Sequence, residues 1–526
     1  MSTGWLFMIL LLAGVSLSFG EVVRVPGDAP TIQMALDAIA DGDTVLVEVG
    51  EYSEALHAPP LAFVLRGRVV PDTGDYPRPM VDPSRLPGSD ALACLILPAN
   101  SHPVIEDMTF RNGPAMYPRR SSGDWGGIRS ASPDPILRRC CLDSVYLAFR
   151  QEVDSPDYVI TLESCLFRHD SVMCVQSGWS QVHATDCLFS GHGFYLMSVA
   201  SSRFVRCHFR DNNRGHLLVA YGRDIEISQC VFGPYGPYAF VAVEIDAIRG
   251  RMCDNLFTEC QPGMGVLSVS TDTADGVLVQ GNIFINNHVV MGQGFAGMSF
   301  GYRWDGDTSQ SGMIQDNIFT ACSTNTGTKG LSVSAPAQVI HNRFADLDPP
   351  SQPAVSVFNT DGVVLRNNLF ERNGLGINTE DAGLVDARWN WWGDSTGPYH
   401  ASLNPEGQGD EVQGNVEFIP WWADTSFLHT TPRGTPSPEA FDLQAYPNPF
   451  NDGLSIRFRV PGPGIFRVEL FDVLGRRTTE LRWGPVADAV EIKYDARTLS
   501  SGVYFIRATD TIFNRSVAMC KVVHLR

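Results

Sequence analysis

A short phrase, one small or polar residue, one variable residue and a phenylalanine, returns along the middle of the chain. It reads CLF ending at Phe167, CLF at Phe189, CHF at Phe209 and CVF at Phe232. It continues as NLF at Phe257, NIF at Phe284 and Phe319, NRF at Phe344 and NLF at Phe370. Weaker copies precede it (CCL at Leu142, MTF at Phe110), and WNW at Trp391 follows. From Phe167 the successive steps are 22, 20, 23, 25, 27, 35, 25 and 26 residues, the period of a solenoid with insertions of varying length. Just before the phrases lie β-prone, often alternating stretches such as residues 159–162, 225–227 and 363–365, a period of two that predicts strands. A coil of about 22 residues is too short to bury its own apolar face, so coils must stack, with equivalent residues about 4.8 Å apart. The phenylalanines then form an internal aromatic column.

The position two before each aromatic reads Cys140, Cys165, Cys187, Cys207 and Cys230, then Asn255, Asn282, Asn317, Asn342, Asn368 and Asn390. Asparagine there suits a sharp turn, since it tolerates the left-handed conformation and its amide can bond up and down a stack. Cysteine fits the same slot as a small buried filler. Twelve cysteines in an exported chain invite a disulfide framework. Cysteines at one coil position, however, have parallel Cβ vectors about 4.8 Å apart, wider than the 3.5–4.5 Å a disulfide wants. A reduced, buried column is expected, with Cys174, Cys253, Cys260 and Cys322 left open as pairing candidates. No metal site is expected, because no CxxC occurs and no histidine is spaced beside these thiols as a ligand.

Both ends of the repeat carry caps. Within residues 25–47, Ile32, Ala35, Leu36 and Ile39 predict one apolar helical face. Asp41-Gly42 ends that helix, Thr44 begins the first strand, and Gly50-Glu51-Tyr52 turns the chain. This stretch resembles the N-terminal cap of the pectin-lyase-like β-helix superfamily, in which a helix plugs the open end. The run Asn390-Trp391-Trp392-Gly393 through Gly397-Pro398 resembles the NWWG…GP phrase that often closes such helices. Together with the repeat, the resemblance covers roughly residues 22–425. It implies an all-β fold, a right-handed parallel β-helix with a capping helix.

From His429 to Ala440 the chain is a Pro/Thr linker. Beyond it, alternating strands at residues 454–460, 466–472, 489–492, 502–508 and 517–523 predict a small immunoglobulin-like β-sandwich. The words YPNPFN (446–451), VELFDVLGRR (468–477), LSSGVYFIR (499–507) and a terminal KVVHLR (521–526) resemble the C-terminal sorting domain of type IX secretion cargo. That resemblance implies recognition by secretion machinery at the outer membrane and display on the cell surface. At the other end, an apolar stretch from Trp5 to Val15 followed by Ser18-Phe19-Gly20 predicts a signal peptide cut after Gly20. The expected organisation is a signal peptide (1–20), β-helix (21–428), linker (429–440) and sorting domain (441–526).

Composition narrows the function. The net charge of −19 argues against nucleic acid, which needs a basic surface. From Phe441 onward 12 basic residues outnumber nine acidic ones, so the acidity belongs to the solenoid. Only Lys329, Lys493 and Lys521 are lysines, a bias read as genomic base composition. Many β-helices of the superfamily cleave acidic polysaccharides, yet their chemistry is hard to find here. A polygalacturonase-like site needs paired carboxylates, marked in that family by NTDG, DD, GHG and RIK in that order. Here Gly191-His192-Gly193 precedes Asn359-Thr360-Asp361-Gly362, and neither DD nor RIK occurs. The methylesterase branch shares the TIQxA start (residues 31–35) and none of its later signatures. Arg206, Arg210, Asp211, Arg214 and His216 are near neighbours that a lyase could use, and they read more simply as a solvated turn.

Insertions are the better place for a binding site. The 35-residue step after Phe284 carries Tyr302, Arg303, Trp304, Asp305 and Asp307, and an earlier insertion carries Trp125. Aromatic rings beside carboxylates suit sugar stacking and hydroxyl bonding, although either tryptophan could simply cover the core. The expected function is glycan binding or an adhesive or structural surface role, with a polysaccharide lyase or glycoside hydrolase as the alternative and a pure spacer as the third reading. No cofactor is expected, with calcium the one ion left open.

Overall fold

The computed structural model describes residues 20–69, 78–86, 93–111, 126–144, 147–153, 155–170, 173–176, 178–191, 201–211, 216–236, 241–273, 276–307, 312–358, 361–380, 383–429, 441–460, 464–473, 475–486, 489–497, 499–510 and 515–525. The first 19 residues of the expected signal peptide, and with them the predicted cleavage signal up to Phe19, lie outside this set.

Residues 22–417 form a parallel β-helix. Its early coils have three strands each, for example Ile136–Arg138, Cys141–Asp143 and Leu147–Gln151. Each strand pairs in parallel with its counterpart one coil on: Ile136 with Thr161, Cys141 with Leu166, Leu147 with Met173. Among the described residues, stacking produces parallel sheets of 23, 13 and five strands. From Leu218 onward the third and first faces run together in continuous strands, such as Leu218–Ser228 and Val241–Cys253. Strand alternation explains the burial. In Val159–Glu163 only Ile160 and Leu162 are fully buried, while their neighbours face outward.

The aromatic column fills the interior. Phe167, Phe189, Phe209, Phe232, Phe257, Phe284, Phe319, Phe344 and Phe370 stack with ring centroids 4.6–5.0 Å apart. Phe110 and Leu142 continue it below, in register with Phe167. At the top the ring on Phe370 is Trp392, at 4.7 Å, one residue beyond the WNW phrase. This follows from the spacing itself, because Trp392 stands two after Asn390 as each phenylalanine stands two after its own column residue.

The N-terminal cap is helix α1 (Ile32–Ala38), whose Ile32, Ala35 and Leu36 are fully buried against the first rung. Thr31 caps it by accepting from Met34 N, and Glu54 reaches back to accept from Ile32 N and Gln33 N at 3.0 and 2.8 Å. Two local expectations are corrected. The first strand is Val22–Val25, which pairs with Thr44–Val47; its own Val-Val-Arg-Val alternation made it a strand. Glu51 and Tyr52, expected in a turn, are a short strand paired with Met80–Val81.

Residues 442–524 fold as a β-sandwich of two antiparallel sheets. One holds Asp442–Tyr446, Gly453–Arg459 and Ala489–Asp495; the other holds Arg477–Val486, Gly464–Asp472, Gly502–Asp510 and Arg515–His524. Inward residues of both sheets, including Ile456, Phe458, Val468, Leu470, Ile506 and Val522, close its core.

Candidate functional site

The corners of the solenoid decide where polar chemistry sits. At the first corner a residue in the left-handed region precedes each column residue: Arg139 (φ 52°), Ser164 (53°), Asp186 (56°), Arg206 (52°), Gln229 (56°), Asp254 (57°), Asp316 (56°), His341 (56°) and Asn367 (55°). The strained conformation thus falls one residue before the asparagines, not on them. Asn255, Asn282, Asn317, Asn342 and Asn368 are at most 1% exposed and turn their amides inward. Each accepts, at Oδ1, from the backbone N of the column residue one coil below, as in Asn282 N to Asn317 Oδ1 at 2.9 Å. Each donates from Nδ2 to a strand carbonyl, as Asn317 to Val279 O at 3.0 Å, and to the next asparagine's Oδ1. The column therefore satisfies corner groups that would otherwise be buried and unpaired.

The cysteines hold the same slot with weaker bonds. Cys165 and Cys187 donate from Sγ to Leu137 O and Leu162 O at 3.4 and 3.5 Å, the role of an asparagine Nδ2. Cys165 N and Cys207 N donate to the sulfurs of Cys187 and Cys230 at 3.4 Å. Burial pushes the Cys140 and Cys207 thiols well up, so they stay protonated and inert. Cys253, Cys260 and Cys322 are also free; the side chain of Cys174 lies outside the described residues.

Cys260 and Cys322 belong to a second column that was missed in the sequence. At the next corner Cys260, Asn287, Cys322, Leu347, Asn373 and Asp410 succeed one another, coil by coil. Asn287 Oδ1 accepts from Cys260 N at 3.0 Å, Asn373 Oδ1 from Leu347 N at 3.3 Å, and Asp410 Oδ1 from Asn373 N at 2.9 Å. The signal was present: each residue from Cys260 to Asn373 stands three after a column phenylalanine. Its mixed composition of Cys, Asn and Leu hid it. Cys260 and Cys322 sit two coils apart with Asn287 between them, which explains why they do not pair.

The outer corners carry ion pairs between adjacent coils. Arg139 grips Asp107 at 2.8 and 2.7 Å, Arg206 grips Asp186 at 2.6 and 2.8 Å, and Arg372 grips Asp346 at 2.6 and 2.8 Å. A planar guanidinium matches a carboxylate one rung away with two parallel bonds, which a lysine ammonium cannot do. The arginine bias, read from the sequence as genomic base composition, also has a role at these corners.

The candidate catalytic neighbours do not converge on one cleft. Arg206 is committed to Asp186, Arg210 Nε lies 3.1 Å from Asp211, and His216 Nδ1 is 4.0 Å from Glu244 on another face. Arg214, His192, Gly193, Asn359 and Thr360 lie outside the described residues, as does Trp125. Tyr302, Arg303, Trp304, Asp305 and Asp307 end the 20-residue strand His288–Asp307. The two ends of this run pair with the preceding coil, Thr271 with Tyr302 and Thr273 with Asp307, the register shifts between them, and the side chains lie outside the described set. Among the described residues no group of three or more His, Cys, Asp or Glu could hold a metal ion, and no helix is long and apolar enough to cross a membrane.

The strand registers define the class: a parallel β-helix joined to an antiparallel β-sandwich. Residues 444–518 match the family described as the secretion system C-terminal sorting domain. The chain therefore carries a type IX sorting tail, which marks it for secretion, engagement of the type IX machinery and display on the cell surface. No curated protein matches the chain. Among solved structures it is similar to the enzymatically active domain of bacteriophage CBA120 tailspike protein 2, at 9% identity and a TM-score of 0.21, over 96% of this chain and 72% of that one.

The tail's motif words have physical reasons. Asn448 of YPNPFN accepts from Val523 N at 2.9 Å and donates to Lys521 O at 2.8 Å, clamping the last strand. Phe450 N and Leu525 N complete that clamp through backbone bonds of 2.9 Å. In the turn of LGRR, Gly475 takes φ +73° and Asp472 accepts from Arg476 N at 2.9 Å.

Proposed function

We propose that the mature protein is a cell-surface solenoid that binds glycan at the corner bearing residues 302–307, following removal of a signal peptide at Gly20. The observation that carries this reading is the strand His288–Asp307. Its pairings of Tyr302 with Thr271 and of Asp307 with Thr273, with a register shift between them, tie both ends of the candidate segment to the sheet, so that residues rich in aromatic and acidic groups are carried on a bulge of that sheet. Such a mixture suits sugar rings and their hydroxyls. The acidity of the solenoid favours neutral over acidic polysaccharide, because like charges repel.

The test is a panel of neutral and acidic polysaccharides presented to the purified β-helix with its tail. Retention of a neutral glycan without turnover, lost on Trp304→Ala, is the expected result. New reducing ends or unsaturated uronate products would replace the binding role with a hydrolase or lyase. Retention unchanged in Trp304→Ala would move the site away from this corner, and no retention at all would leave a structural spacer.

A further inference from the structure

The closing strand of the sorting tail, Arg515–His524, ends on a histidine sealed into the sandwich. His524 is 2% exposed and pairs across the sheet with Gly502. Both of its ring nitrogens face main-chain carbonyl oxygens. Nε2 lies 2.8 Å from Asn451 O, in the YPNPFN segment, and Nδ1 lies 3.1 Å from Ser500 O, in the LSSG segment. The ring also packs on Phe450, with centroids 4.9 Å apart. One side chain thus ties the last strand to segments 24 and 73 residues earlier in the chain.

A carbonyl oxygen can only accept a hydrogen bond, and a neutral imidazole carries one N–H and one bare nitrogen. A neutral ring here would aim a lone pair at one of the two oxygens, with the ring itself cut off from water. Only the imidazolium, protonated on both nitrogens, satisfies both contacts at once. We propose that His524 is a protonation latch: the ring, held as imidazolium, fastens the tail's last strand and loosens it on giving up one proton.

The surroundings suit a buried cation of this kind. The Phe450 ring lies within the distance at which an aromatic face attracts a positive charge. Ser500 O takes its other bond from the Tyr504 hydroxyl at 2.8 Å. Of the charged groups on the adjoining segments, Asp495 is gripped by Arg497 at 3.0 and 3.1 Å, Asp452 and Lys521 are exposed, and Arg526 lies outside the described residues. Beside the latch stands a fastening that does not titrate: Val523 N donates to Asn448 Oδ1, and Leu525 N to Phe450 O. Those two amides report whether the strand is down. An unfolded histidine changes charge near about pH 6.5. A fold that keeps the ring charged binds one proton more than the open strand above that pH, so its hold is complete in mild acid and is lost as pH rises.

The test uses the full chain. Neutron diffraction from crystals kept near neutral pH reads the ring directly, and deuterium on both Nδ1 and Nε2 is expected. Hydrogen exchange of the Val523 and Leu525 amides, corrected for the intrinsic rate, is then followed from about pH 6 to about pH 9. Protection is expected to fall by up to about tenfold per pH unit, the limit set by one linked proton. His524→Gln, which keeps a hydrogen-bonding side chain but cannot titrate, should show weaker protection without that slope. A single deuteron on the ring at neutral pH overturns the proposal, and so does an equal slope in His524→Gln. The ring measurement needs only the wild type, so a His524→Gln tail that fails to fold still leaves the proposal open to refutation.

Discussion

An inward asparagine at a solenoid corner both accepts from the coil below and donates to a strand carbonyl and the next asparagine, and a cysteine does less. Asn317 accepts from Asn282 N and donates to Val279 O and Asn342 Oδ1. Asn317→Ala would leave buried backbone groups unpaired and is expected to cost about 2–4 kcal/mol in chemical denaturation. Asn317→Cys keeps a weak donor and acceptor and should cost less than the alanine variant; an equal cost would deny the cysteines their hydrogen-bonding role. A charge effect belongs to this scale too. Burial tends to raise the Asp386 carboxyl, but hydrogen bonds from Arg388 and Arg366 outweigh it and hold it at about 2. A depressed carboxylate stabilises the fold above its unfolded value of about 3.9, and that stabilisation is lost as pH falls through about 2. Asp386→Asn is therefore expected to cost on the order of 1–2 kcal/mol at neutral pH, discounted for a side chain 22% exposed, and to flatten the stability profile between about pH 4 and 2.

At the scale of elements, the sorting tail offers a direct check. Asn448→Ala removes both side-chain bonds to the last strand and should destabilise the sandwich by about 1–3 kcal/mol. Secretion of the variant, measured as surface-exposed protein, should fall in parallel; normal display of a measurably destabilised tail would separate folding from recognition. Much of the element order was legible beforehand, because period-two strands, a fixed column and turn residues all speak in local sequence. Phe167 to Phe370 could be aligned by eye for that reason. The Val22–Val25 rung was missed because four residues before a helix look like a leader's end. The second column was missed because stacking tolerates Cys, Asn, Leu and Asp in one slot, so no letter repeats. The buried contacts from Lys329 to Asn373 and from Asn373 to Asp410 were illegible for a deeper reason: the partners are 44 and 37 residues apart, and only coil register brings them together. A glycan corner could be guessed from Trp304 and its neighbours, since insertions announce themselves by breaking the period.

For the whole molecule, the free thiols set the prediction. The buried cysteines among the described residues should be silent to a thiol reagent in the native state, and should react once the chain is unfolded in guanidinium. Prompt native reaction of several equivalents would contradict a sealed column. The export destination assigned by the tail gives this weight, because the chain passes through a compartment where thiols are commonly oxidised. Parallel Cβ vectors within one column leave no native partner for a disulfide, so any that form must do so in an unfolded chain.

The change from cysteine to asparagine between Cys230 and Asn255 also gives the solenoid a mechanical polarity. Coils on the early side are held at their corners by long sulfur contacts, and those on the late side by paired amide bonds. Under tension, such as shear on a surface-displayed protein, the early coils should peel first while the late coils hold fast. The molecule would then behave as a fuse, yielding first in its cysteine-cornered coils while the asparagine-cornered coils stay folded.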